Sequence, residues 1–67
     1  MRNPERIDKF LAVLGKGWKE RYPDMRFGQL MTNMLGSMAA EGRDPFFPEE
    51  DEMERYVRKY LGMGDAE

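Results

Sequence analysis

The sequence predicts an all-α fold, a compact three-helix bundle in a single domain spanning residues 1–67. Three observations predict it. Apolar residues recur at helical spacing in three separate stretches. Pro23, Gly42, Pro45, Pro48 and Gly62 punctuate the chain between and after those stretches. Nothing reads as a strand: the β-branched residues are Ile7, Val13, Thr32 and Val57, and no segment alternates with period two. Helices are expected over about 4–21, 25–41 and 48–61, with 62–67 a frayed tail.

The first helix opens on Asn3, a good N-cap residue, and Pro4, which suits the first helical position; Glu5 then sits near the positive end of the helix dipole. Ile7, Phe10, Leu11, Leu14, Trp18 and Tyr22 form its expected core stripe, with Arg2, Arg6, Lys9 and Lys16 on the opposite side. Gly15 and Gly17 each cost about 1 kcal/mol relative to alanine. They imply either a bend or the close approach of another helix. Pro23 disfavours the α conformation at Tyr22, so the helix stops there.

The second helix is expected to be capped by Asp24. Phe27, Leu30, Met31, Met34, Leu35 and Met38 follow the amphipathic series without a miss, and Leu30 and Leu35 are expected in the core with Trp18. Gly28 and Gly36, two turns apart, would form a close-packing groove. Gly42 ends the helix.

Arg43-Asp44-Pro45-Phe46-Phe47-Pro48 is a stiff connector with two adjacent phenylalanines that must find cover or remain a sticky patch. The third helix begins near Pro48 with Glu49, Glu50, Asp51 and Glu52 and closes with Arg58 and Lys59, the order the helix dipole favours. Met53, Tyr56, Val57, Tyr60 and Leu61 form its apolar face.

Size and composition narrow the function classes. Sixty-seven residues lie near the lower limit for a self-sufficient core, where disulfides, a metal or a partner usually help. Cysteine and histidine are both absent, which removes thiol chemistry, the commonest general base and the commonest transition-metal ligand. Thr32 and Ser37 are the only aliphatic hydroxyls, and neither has a base at suitable spacing. No catalytic residue, cofactor, metal ligand or small-molecule substrate is therefore assigned, and an enzyme is not expected. No apolar run approaches the ~18–20 residues of a membrane span. The opening Met-Arg-Asn-Pro-Glu-Arg lacks a signal core, so the expectation is a cytoplasmic protein.

The net charge is −2, unevenly spread. Residues 1–40 hold seven Lys/Arg and four Asp/Glu; residues 41–67 hold four Lys/Arg and nine Asp/Glu. The ordinary reading is helix-end complementarity; the functional reading is two different surfaces.

Pro23-Asp24-Met25-Arg26-Phe27-Gly28-Gln29-Leu30, followed by Asn33, resembles an element of short bacterial and phage helical proteins of unknown function. In these, a tryptophan precedes Pro-Asp-hydrophobic-Arg-hydrophobic-Gly-Gln-Leu. The first helix opens like Arg2-Asn3-Pro4-Glu5-Arg6-Ile7, and an element like Asp44-Pro45-Phe46-Phe47 and Glu50-Asp51-Glu52-Met53 follows. The resemblance covers most of residues 2–61. It implies a helical fold and a prokaryotic or phage origin, and it transfers no functional residue.

The remaining motifs each carry two readings. The acids from Glu49 to Glu54 are a dipole-stabilised first turn, or a surface for a basic partner; a calcium loop would need a mid-loop glycine that is missing. Met25, Met31, Met34 and Met38 fill an irregular core, or line an adaptable groove. Arg26, Gln29 and Asn33 fix helix register, with Arg26 free to pair with Asp24 or an acid of the third helix, or they contact a partner. The basic side of the first helix would track phosphates in a helix-turn-helix-like DNA-binding regulator. In that arrangement the third helix reads the bases, and its four opening acids oppose the phosphates.

The reading adopted is a small protein-interaction module, an accessory, regulatory or inhibitor-type protein, phage-encoded in one version. It acts by binding another protein or by self-association, with nucleic acid and membrane not expected as partners. The candidate contact residues are Phe46, Phe47, Glu49, Glu50, Asp51 and Glu52. The alternatives are the DNA-binding regulator and a structural homo-oligomer.

Overall fold

The computed structural model describes residues 2–64 and holds three helices: α1 (Glu5–Arg21), α2 (Phe27–Ala40) and α3 (Glu50–Tyr60). No strand occurs among the described residues. The chain is an all-α three-helix bundle.

α1 starts at Glu5 rather than residue 4, with Pro4 as its N-cap. Asn3 still serves the first turn: its Oδ1 accepts the Glu5 N–H at 2.9 Å. α1 ends where Pro23 requires. Tyr22 turns out of the helix, and its N–H still donates to the Trp18 carbonyl at 2.9 Å.

α2 begins two residues later than expected, and Asp24 is not its cap. The backbone of Met25 is committed to the turn: its N–H donates to the Tyr22 carbonyl at 3.0 Å, and its carbonyl accepts the Trp18 indole N–H at 2.9 Å. Arg26 becomes the N-cap, and Gln29 Oε1 reaches back to accept the Arg26 N–H at 3.0 Å. That is one half of a capping box.

α2 and α3 close in the same way. Gly42 and Gly62 adopt φ of 82° and 69°, a region costly for any residue with a Cβ. The Arg43 N–H donates to Met38 and the Gly42 N–H to Ala39; at the end of α3, Met63 donates to Arg58 and Gly62 to Lys59. Both are Schellman closures. Residues 62–64, expected to fray, thus form an ordered closing turn, and Met63 packs on the core. Residues 65–67 lie outside the described residues. α3 itself starts at Glu50, two residues after Pro48.

The core comprises Val13 and Leu14 from α1, Leu30, Met34 and Met38 from α2, and Tyr56, Val57 and Leu61 from α3 and its end. α1 and α3 run parallel and are the pair whose backbones approach most closely. Gly17 makes this possible: a Cβ there would lie 2.7 Å from Leu61 Cδ1 and 2.7 Å from Met63 Sδ. α2 reaches the same core through Leu30, Met34 and Met38, all essentially inaccessible to solvent.

This close contact turns α1 relative to the expected stripe. Its buried side centres on Val13, Leu14 and Gly17, while Ile7 and Leu11 remain 44% and 54% exposed. On α2, Phe27 is 58% exposed, and Leu35, expected in the core, is half-buried. Gly28 and Gly36 do not receive a neighbouring helix; nothing lies within 4 Å of a Cβ built at either.

Candidate functional site

The parallel α1–α3 pair brings two helix starts side by side, and side chains of opposite charge join them. Arg2 grips Glu49 with two hydrogen bonds of 2.7 Å, and Arg6 Nε donates to Glu50 Oε1 at 2.6 Å. Deeper along α3, the buried Glu54 accepts from Arg58 at 3.0 Å, with Lys9 Nζ at 3.8 Å. Arg2, Arg6 and Lys9 therefore turn toward acids of the third-helix segment, whereas Lys16 stays on the exposed side that its spacing suggested. The hydrogen bonds from Arg2 hold the Glu49 carboxyl below the usual carboxylate range, and the same contact raises the Arg2 guanidinium.

Of the four acids opening α3, Glu49 and Glu50 are spent on α1. Glu52 accepts from Arg43 Nη2 at 3.0 Å. Asp51 Oδ1 accepts the Glu52 N–H at 2.8 Å and makes no ion pair among the described residues.

Phe46 and Phe47 stand outside this arrangement. They are the most exposed large apolar residues described, at 82% and 74%. Their rings meet edge to face, centroids 4.9 Å apart and planes at 82°. The loop carrying them is held at its start. Asp44 Oδ1 accepts the Phe46 N–H at 2.9 Å, and Arg43 joins Glu52 while its guanidinium lies 5.5 Å from the centroid of the Tyr56 ring.

Five of the six candidate residues thus fall into two groups, and Phe46 lines neither cleft. Phe47 and Glu52 share a shallow cleft of about 310 Å³ with Arg43, Asp44 and Pro48. Glu49, Glu50 and Asp51 line another, of about 380 Å³, with Arg2, Asn3 and Arg6. The acids do not ring the phenylalanines as a free charged rim, because arginines from elsewhere in the chain neutralise three of them. Spacing within α3 carried no signal of those partners; the parallel packing of α1 and α3 brings up Arg2 and Arg6, and the connector brings up Arg43.

A wider, open groove of about 880 Å³ runs from the end of α1 along the start of α2, lined by Arg21, Asp24, Gly28, Gln29, Thr32 and Asn33 among others. It coincides with the Pro23–Leu30 stretch and Asn33. Several residues of that stretch have clear structural roles: Met25 and Gln29 in hydrogen bonds, Leu30 in the core, and Phe27 against Trp18 at 6.0 Å between centroids. Arg26 forms no ion pair with Asp24 or with α3 among the described residues. No group of three acidic side chains converges as a metal site among the described residues, and no helix there is long and apolar enough to cross a membrane. Comparison of the chain with protein-family models, with curated proteins and with solved structures finds no match.

Proposed function

We propose that the chain is a non-enzymatic protein-interaction module, an accessory, regulatory or inhibitor-type protein, that binds another protein through Phe46 and Phe47. One observation carries this reading: two aromatic rings exposed at 82% and 74%, braced against each other on a loop with a proline on either side. Exposed aromatics fixed before binding lose little conformational freedom on docking, and buried aromatic anchors dominate interface energetics. Glu52 and Arg43 hold the base of this prong. The engagement of Arg2 and Arg6 by Glu49 and Glu50 weighs against a phosphate-tracking surface on α1.

The test is capture from lysate with the wild-type chain and with a Phe46→Ser/Phe47→Ser double variant of matched helix content by circular dichroism. A specific protein should be retained by the wild type and lost by the variant. Retention of the same proteins on both, or loss of the helical fold in the variant, overturns the reading.

A further inference from the structure

We propose that the exposed apolar face shared by α1 and α2 is a self-association surface, on which two copies of the chain pair about a two-fold axis with their α2 helices antiparallel. This surface is separate from the Phe46–Phe47 prong. Ile7 and Leu11 lie on one row of α1 with Trp18, roughly 100° round the helix from Gly17, which touches Leu61. The contact of Trp18 with Phe27 places that row beside the Phe27, Met31, Leu35 row of α2. Ile7, Leu11 and Phe27 are 44%, 54% and 58% exposed, and Met31 and Leu35 are half-buried.

Charge selects the occupant. α2 has no charged residue from Phe27 to Ala40, in a chain whose residues are 36% charged. A two-fold interface sets each patch against its own image, so any charge near the axis meets its like. Such like-charge contacts are costly. The α2 face meets its image without that cost, and it offers a charged partner no ion pair in return.

Shape is self-complementary as well. The Phe27, Met31, Leu35 ridge runs beside a low row of Gly28, Thr32 and Gly36, and the space over both glycines is open. Two copies can each lay the ridge along the other's low row, the ridges-into-grooves packing of crossed helices. A chain near the lower size limit for a stable core gains cover in the same step.

The experiment is sedimentation velocity over a concentration series, with circular dichroism as the check on fold, using the wild type, Gly36→Glu, Leu11→Glu and the Phe46→Ser/Phe47→Ser variant. Gly36 has open space around it and lies within a helix, so Gly36→Glu keeps the monomer fold while placing a charge on the axis. The wild type should dimerise, Gly36→Glu and Leu11→Glu should weaken dimerisation at least tenfold with helix content retained, and the double phenylalanine variant should dimerise as the wild type does. A wild type that stays monomeric to millimolar concentration overturns the proposal. So does undiminished dimerisation of Gly36→Glu, or dimerisation lost only in the phenylalanine variant, which would assign self-association to the prong.

Discussion

Gly17 and Leu61 are in contact at a distance that a side chain at position 17 could share only if Leu61 shifted: a Cβ built on Gly17 falls 2.7 Å from Leu61 Cδ1 and 3.2 Å from Leu61 Cβ. The last turn of α1 is thereby held close to the end of α3. Gly15, two residues away, has nothing within 4 Å of its Cβ position. The pair gives an internal control. Gly15→Ala should stabilise the fold by up to about 1 kcal/mol, the helix-propensity gain. Gly17→Ala has the same gain but incurs overpacking of about 1–3 kcal/mol. Urea denaturation should place Gly17→Ala below Gly15→Ala by at least about 1 kcal/mol, and equal midpoints would show that the α1–α3 contact yields freely.

Leu30 and Leu35 separate the two sides of α2. Leu30 is fully buried, and its truncation to alanine should cost roughly 2–5 kcal/mol, enough to threaten folding in so small a domain. Leu35 is half-buried, so Leu35→Ala should cost less than half as much. Thermal melts of the two variants, recorded at low protein concentration, check the order. Equal losses would place Leu35 in the core after all.

The helices, their number and their glycine stops were legible in the sequence, because periodicity, Pro23, Gly42 and Gly62 act locally. The rotation of α1 was not. The single stripe read from Ile7, Phe10, Leu11, Leu14, Trp18 and Tyr22 leaves Val13 out, and only the approach of Leu61 to Gly17 decides that Val13 goes in and Leu11 stays out. The start of α2 was misplaced because Asp24 satisfies the local capping rule, whereas the hydrogen bond from Trp18 to the Met25 carbonyl is a tertiary constraint. The loop left open whether Phe46 and Phe47 find cover, and the structure leaves both exposed. The neutralisation of Glu49 and Glu50 did not, since their partners lie 47 and 44 residues away.

The Arg2–Glu49 contact has a defined pH signature. The folded-state pKa of Glu49 is depressed, so its contribution to stability is present above the unfolded pKa and is lost as pH falls through the lower folded value. Arg2 is raised, so its share is lost only on the far alkaline side. Glu49→Gln should therefore melt below the wild type near neutral pH, and the gap should close as the pH falls through the acid range. Both side chains are largely exposed, so the gap should be small and shrink with added salt. Melting curves from neutral to acid pH at two ionic strengths check this; a gap that widens toward acid pH contradicts the assignment.

Arg43 governs the prong more than it governs the fold. It ties the loop to α3 twice, through the 3.0 Å pair with Glu52 and through its place over Tyr56, yet the Arg43 and Glu52 side chains are 40% and 48% exposed. Removing it should cost only about 0.5–1 kcal/mol. Its effect should appear instead where the loop is held. In Arg43→Ala the Phe46 amide, bonded to Asp44 Oδ1, should exchange with solvent faster than in the wild type, while amides in the middle of α2 keep their protection relative to global stability. Arg43→Lys keeps the charge opposite Glu52 but replaces the guanidinium 5.5 Å from the Tyr56 ring centroid with a compact ammonium, so it should fall between the two. Asp44→Ala removes the acceptor itself and sets the upper limit for that amide. Hydrogen exchange followed residue by residue by NMR resolves the series. If Phe46 exchanges at the wild-type rate in Arg43→Ala, the prolines and Asp44 hold the loop without Arg43, and the Arg43–Glu52 pair is a surface contact with no part in presenting the rings.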